Sequence, residues 1–175
     1  YGGKEGLYHA VVEYIADRVS AHAKNVSGEI LALIEKDKPF KKDALKACTL
    51  LMGGLAQIFV ESDEPKAWAQ VIIREQANPT PAFDVFYNSY IKNTERMAAR
   101  CIGLYTGLDP QSDEVKVRLH TLIGQILSFV VSRESLLRNL GVKKLTKAHI
   151  ALIHQVLMTH MQACLDAPLI TKERN

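Results

Sequence analysis

The sequence has little of what most protein chemistry needs. No Gly-x-Ser-x-Gly, no Gly-x-x-x-x-Gly-Lys-Ser/Thr loop and no Gly-x-Gly-x-x-Gly occurs in its 175 residues. Hydrolase, nucleotide-binding and dinucleotide-binding readings therefore lose their usual support. Strand-like alternation, low-complexity stretches and internal repeats are missing as well. The three cysteines, Cys48, Cys101 and Cys164, are widely spaced within apolar stretches and form no CxxC pair; they read as small core residues of a reducing cytoplasm. Net charge is low: 22 basic and 19 acidic residues are interspersed and leave +3, so no surface carries the electrostatic footprint of a nucleic-acid reader or a membrane binder. The most apolar stretch, Leu119 to Val131, is interrupted by His120 and Gln125. It falls short of the run of about 18 residues that a spanning helix needs. The opening residues are amphipathic rather than uniformly apolar, unlike a signal peptide.

Metal-binding spacings are thin too. There is no Glu-x-x-His pair of the di-iron bundle type. His9 and Glu13 stand four apart without a third ligand and read as a solvated pair, and His149, His154 and His160 share no single helix face and read as surface or dimer-seam residues. The expectation is a cytoplasmic protein with no catalytic residues, no metal, no cofactor and no membrane partner.

What is present is helical periodicity. All six prolines (Pro39, Pro65, Pro79, Pro81, Pro110, Pro168) fall between periodic segments, where they cost no internal hydrogen bond. The chain is long enough to bury one core unaided. A first helix begins at Lys4, carries Leu7, Val11, Tyr14, Ile15 and Val19 on one stripe, and continues beyond a break expected at Ser27-Gly28. Asp43 to Val60 follows, with Gly53-Gly54 permitting a close crossing, then a short helix from Pro65 to Ala77 and a long one from Pro81 to Tyr105, capped by Gly107. Glu114 to Val131 and Lys147 to Asp166, the latter capped by Thr146, are apolar on two faces and need two partners. An all-α fold dimerising through these last two long helices is expected.

Aromatic and aliphatic residues on the central helices suit an apolar cavity for a drug-sized molecule. Leu51, Leu55, Trp68 and Ile72 form one group, Phe83, Phe86, Tyr87 and Tyr90 a second, and Thr121, Gln125 and Phe129 the near face of a third helix. Arg74 and Glu75 either satisfy each other or cap neighbouring helix ends, or else they point into the cavity and orient a ligand. If Arg74 faces inward a ligand with an acceptor group is favoured; if it does not, neutral aromatic compounds are. For the dimer seam the candidates are Leu119, Ile123, Gly124, Leu127 and Ser128 on one helix and Val156, His160 and Ala163 on the other.

The opening Tyr1-Gly2-Gly3-Lys4-Glu5-Gly6-Leu7-Tyr8 resembles a junction in TetR-type transcriptional regulators. There an aromatic residue ends the recognition helix, small residues turn, and Lys-Glu-x-Leu opens the next helix. The resemblance makes residues 1–3 the end of a DNA-binding head and 4–175 a ligand-binding and dimerisation domain, with Tyr1 and Lys4 nearest to DNA. The body is similar to the CecR-like branch. The matching residues are Arg74-Glu75-Gln76 followed by Pro79, Leu104-Tyr105-Thr106-Gly107, and His120-Thr121-Leu122-Ile123-Gly124-Gln125-Ile126-Leu127 with Arg133-Glu134 and Leu137. This implies a repressor whose small-molecule effector, held in the helical body, shifts the first helix and with it the operator-binding heads of a homodimer. A helical scaffold or adaptor dimer without an effector is the alternative.

Overall fold

The computed structural model describes residues 2–37, 39–61 and 65–168, apart from the side chains of 22–25 and 65–67. Tyr1 lies outside the described residues. Eight α-helices and two π segments, and no strand, occur among those described: α1 (Lys4–Ile34), α2 (Lys41–Ala56) with a π segment Gln57–Glu61, α3 (Pro65–Ala77), α4 (Pro81–Phe86) with a π segment Tyr87–Ile91, α5 (Lys92–Thr106), α6 (Asp113–Val131), α7 (Arg133–Leu140) and α8 (Lys147–Asp166).

Gly2 and Gly3 both take positive φ, 67° and 106°, and turn the chain into α1. Contrary to the sequence expectation, α1 does not break at Ser27-Gly28. Ile30, Leu33 and Ile34 are buried in the main core, and Val26 packs over Gly54 of α2; this burial outweighs the roughly 1 kcal/mol that an internal glycine costs a helix. At the start of α2, Asp43 accepts hydrogen bonds from Phe40 N (3.0 Å) and Lys36 Nζ (2.8 Å), tying the end of α1 to the next helix.

The two central helices are longer than their regular α parts. After Gly53-Gly54 the Gln57 N–H is shared between both glycine carbonyls, and the helix widens. The helix expected from Pro81 to Tyr105 is likewise interrupted. Asn88 Nδ2 donates to the Asp84 carbonyl (2.8 Å) and Ser89 Oγ to that of Val85 (2.6 Å), so side chains compete for carbonyls four residues back and loosen the turn. Gly107, at φ 79°, caps α5 as expected. α7 leaves α6 at 68°. Thr146 caps α8 by accepting from His149 N (3.3 Å), while His149 Nδ1 accepts in return from Thr146 N (3.2 Å).

The core has two parts. The larger joins the second half of α1 to α2, α5, α6 and α8. The smaller joins Val12, Ile15, Ala16 and Val19 of α1 to Ile72, Ala82, Phe86 and Tyr90. Phe59, on the first π segment, packs against both. Lys41–Glu61 is a continuous 21-residue stretch long and apolar enough to cross a membrane, a longer apolar element than the sequence suggested, but half of it is buried inside this core. At the far end, the buried guanidinium of Arg118 binds Glu114 Oε1 (3.0 and 2.7 Å) and the carbonyls of Cys164 and Pro168. It sets a cation at the C-terminus of α8, where the helix dipole favours one.

Candidate effector core and the clasp on the first helix

Thr80 N-caps α4, and Pro81 occupies the first helical position. That turn brings Thr80 back over the end of α3, where Glu75 is 1% exposed. One Glu75 oxygen accepts from the Tyr8 hydroxyl at 2.6 Å, and the other from Thr80 N (3.0 Å) and Thr80 Oγ1 (2.9 Å). Burial works to raise the Glu75 pKa, but the hydrogen bonds from Tyr8 and Thr80 and the nearby Arg74 charge outweigh it and hold the carboxyl below its ordinary value. Tyr8 is pushed up, by burial first and then by Glu75. Arg74 is exposed, its guanidinium 5.5 Å from the centre of the Tyr8 ring. Of the alternatives open for the pair, Glu75 caps a helix start and anchors α1, and Arg74 covers that anchor from the solvent side.

The aromatic candidates are divided. Phe86 and Tyr90 lie with ring centres 5.8 Å apart in the smaller cluster, with Ile72. Trp68 meets Tyr14 of α1 edge-on at 6.2 Å, and Phe83 stacks on Tyr87 at 6.0 Å. Leu51 and Leu55 belong to the larger cluster, and Phe129 packs against it. Tyr90, which burial raises to a pKa of about 12, lines a groove of about 360 Å³ between α1 and α5, with Ser20, Leu31, Thr94, Arg96, Met97 and Arg100. Tyr87 and Thr121 border a second groove of about 580 Å³ between α5 and α6, with Lys92, Glu95, Lys116 and His120. Burial raises the Glu95 pKa there and the charge of His120 opposes it.

Three placements differ from those read in sequence. Thr121 and Gln125 do not face the aromatic cluster: each stands one residue before an inward side chain, Leu122 or Ile126, and so points outward. Gln125 Oε1 instead lies 3.1 Å from His160 Nδ1, bridging α6 and α8 at the surface. Leu119 is buried in the core and is no seam residue. The outward stripe of α6 runs through Val117, Thr121, Gly124, Ser128 and Val131, and that of α8 through Leu152, Val156, His160 and Ala163; Ile123 and Leu127 are half-buried at its margin. His154, read as a surface or dimer-seam residue, is half-buried, and its Nε2 lies 2.7 Å from Glu61 Oε1 at the end of the first π segment. Sequence reasoning gave Phe59 and Tyr8 no site role, although Tyr8 stood in the opening motif and Phe59 little more than a turn beyond a double glycine.

The order of helices, the long α1 and the apolar outer faces of α6 and α8 can be set beside known proteins. The family model described as "HTH-type transcriptional dual regulator CecR, C-terminal domain" matches residues 46–168. The chain belongs to this family. It is a CecR-like, TetR-type regulator body, all-α as the sequence implied. The HTH-type transcriptional dual regulator CecR of Shigella flexneri is 27% identical to it over 170 residues, an alignment covering 95% of this chain and 74% of that protein. The CecR-type match runs from within α2 to the segment that Arg118 holds behind α8. It therefore spans both π segments, the outer faces of α6 and α8, and the larger core apart from what α1 and the start of α2 contribute.

Proposed function

We propose that this CecR-type body is the sensing half of a cytoplasmic repressor, and that a neutral aromatic or apolar effector wedges between its two core clusters around Phe59. The observation carrying this reading is how α1 is divided. Its first half is buried in one cluster through Val12, Ile15, Ala16 and Val19, and its second half in the other through Ile30, Leu33 and Ile34. Anything that separates the clusters must tilt α1. Both π segments supply residues at this junction, Phe59 from one and Tyr90 from the other, and π distortions are frequent at functional sites. Leu55, Trp68, Ile72 and Phe86 complete the proposed walls.

Electrostatics select the ligand class. The acceptors of Glu75 are occupied by Tyr8 and Thr80, and Arg74 is turned to solvent, so neither charge is available to pair with a carboxylate or ammonium inside. An operator-binding head before Lys4, with Lys4 near a phosphate, and a homodimer through the outward stripes of α6 and α8 complete the proposal; the resemblance at Gly2-Gly3-Lys4-Glu5 and the family support both. An effector acts only through a difference in affinity between two positions of α1.

The test is a thermal-shift screen of neutral aromatic compounds against the chain, repeated on Phe59→Ala, Phe86→Ala and Tyr90→Ala. Hits should lose affinity in at least Phe59→Ala and Phe86→Ala. Hits that ignore all three place the effector elsewhere, and a screen without hits favours the scaffold alternative.

A further inference from the structure

Cys48 of α2 and Cys101 of α5 are unpaired cysteines buried in the larger core. The two helices pack against each other, and each buries small side chains in this core, Ala44 and Ala47 from one and Ala98 and Ala99 from the other. Between them lies a cavity of about 10 Å³, and both cysteines share its wall with Met52 and Met161. The remaining lining is aliphatic, with no carboxylate and no imidazole. Four sulfur-bearing side chains from three helices thus surround a space about the size of one water molecule. Apolar walls give a water too few polar partners to hold it.

We propose that Cys48, Cys101, Met52 and Met161 form a buried site for one soft monovalent d10 cation, Cu(I) in chemical class. Softness follows from the donors, since thiolate and thioether sulfur favour Cu(I) over ions that prefer oxygen or imidazole. The single charge follows from the wall. One cation with one thiolate is neutral, whereas a divalent ion on the same donors leaves a net charge in an apolar interior, which is costly. On binding, one of the two S–H bonds breaks, its proton leaves to solvent, and that sulfur's lone pair bonds the metal; the other cysteine stays a thiol and no electron is transferred. Bridging α2, α5 and α8, the ion locks the larger core on which the second half of α1 rests, a second input distinct from the aromatic effector.

The experiment titrates the reduced 175-residue chain anaerobically with Cu(I) supplied as its coloured bicinchoninate complex, following loss of colour. One Cu(I) per chain is expected, retained in Cys164→Ala and lost in Cys101→Ala and Cys48→Ala. Met161→Leu conserves volume and keeps the helical circular dichroism of the parent, and it should weaken binding roughly tenfold. Folded parent that takes no copper from the chelator overturns the proposal, as does undiminished binding in Cys101→Ala or loss of the site in Cys164→Ala. Should the cysteine variants fail to fold, Met161→Leu decides: unchanged affinity overturns the site. Aromatic thermal-shift hits on the same variants report separately on the effector core.

Discussion

The Tyr8 hydroxyl donates a 2.6 Å hydrogen bond to Glu75, joining side chains 67 residues apart. Tyr8 stands about one turn into α1, and Glu75 stands in the last turn of α3, just before α4. A buried carboxylate without donors is costly, so the bond constrains both partners: α1 cannot swing away without leaving Glu75 short of a donor.

Tyr8→Phe should therefore destabilise the fold by about 1–2 kcal/mol while leaving the larger core intact. Urea unfolding checks the magnitude, and hydrogen exchange checks the place: faster exchange in the first half of α1, none in α5 or α6. An unchanged midpoint would mean that the bond contributes nothing.

The same clasp gives a pH signature with a definite sign. The folded-state pKa of Glu75 lies below its ordinary value of 4.5, so the stability it lends is fully present above that value and drains away as the pH falls through the lower, folded-state one. Melting temperatures of the parent should drop more steeply than those of Glu75→Gln in that acid window. Parallel curves would remove Glu75 as a source of acid sensitivity.

Two helical glycines should respond oppositely to alanine. A Cβ on Gly103 would sit 2.8 Å from the Leu108 carbonyl oxygen and 2.8 Å from Pro110 Cγ, whereas one on Gly53 meets nothing within 4 Å. Gly53→Ala should stabilise by about 0.5–1 kcal/mol. Gly103→Ala gains the same propensity but must displace backbone, and should be net destabilising by about 1–3 kcal/mol. Thermal unfolding of the two variants settles the signs.

Dimerisation is addressed by Gly124→Glu and Leu152→Glu. Both positions are exposed in the isolated subunit, so a charge there leaves the core alone. Apolar burial is worth roughly 25 cal/mol per Å² before association costs, and one buried unpaired carboxylate per subunit should reverse a modest balance. Sedimentation at micromolar concentration should give a dimer for the parent and monomers for both variants. A monomeric parent defeats the proposal.

Periodicity and punctuation made much of the fold legible. Prolines marked the helix starts, and Gly107 and Thr146 cap where their side chains, or the lack of one, suit the geometry. Continuity was harder. Gly28 reads as a breaker, yet the burial of Ile30 and Leu33 in the core shared with α2 keeps α1 continuous, and that partner helix cannot be seen from local sequence. The π segments were hidden because they preserve helical composition; only Gly53-Gly54 and Asn88-Ser89 hinted at them. On α6 the inward and outward faces are both apolar at several positions, so Leu119 and Val117 could exchange roles until the packing of α5 and α8 fixed the phase. Arg118, which ties α6 to the residues behind α8, carried no sequence signal, since a lone arginine in an amphipathic helix usually faces water.

The unbroken α1 has a mechanical consequence. At about 1.5 Å per residue, the span from its anchored end near Ile34 to Tyr8 is on the order of 40 Å, so a tilt of about 5° at the anchor displaces the Tyr8 end by roughly 3 Å. That exceeds what a hydrogen bond tolerates. Under the proposed effector-driven rotation, the rod would amplify a small movement in the core, and the clasp at its tip would act as a detent, holding against small rotations and releasing beyond a threshold. A kinked helix at Ser27-Gly28 would have dissipated the same rotation as bending.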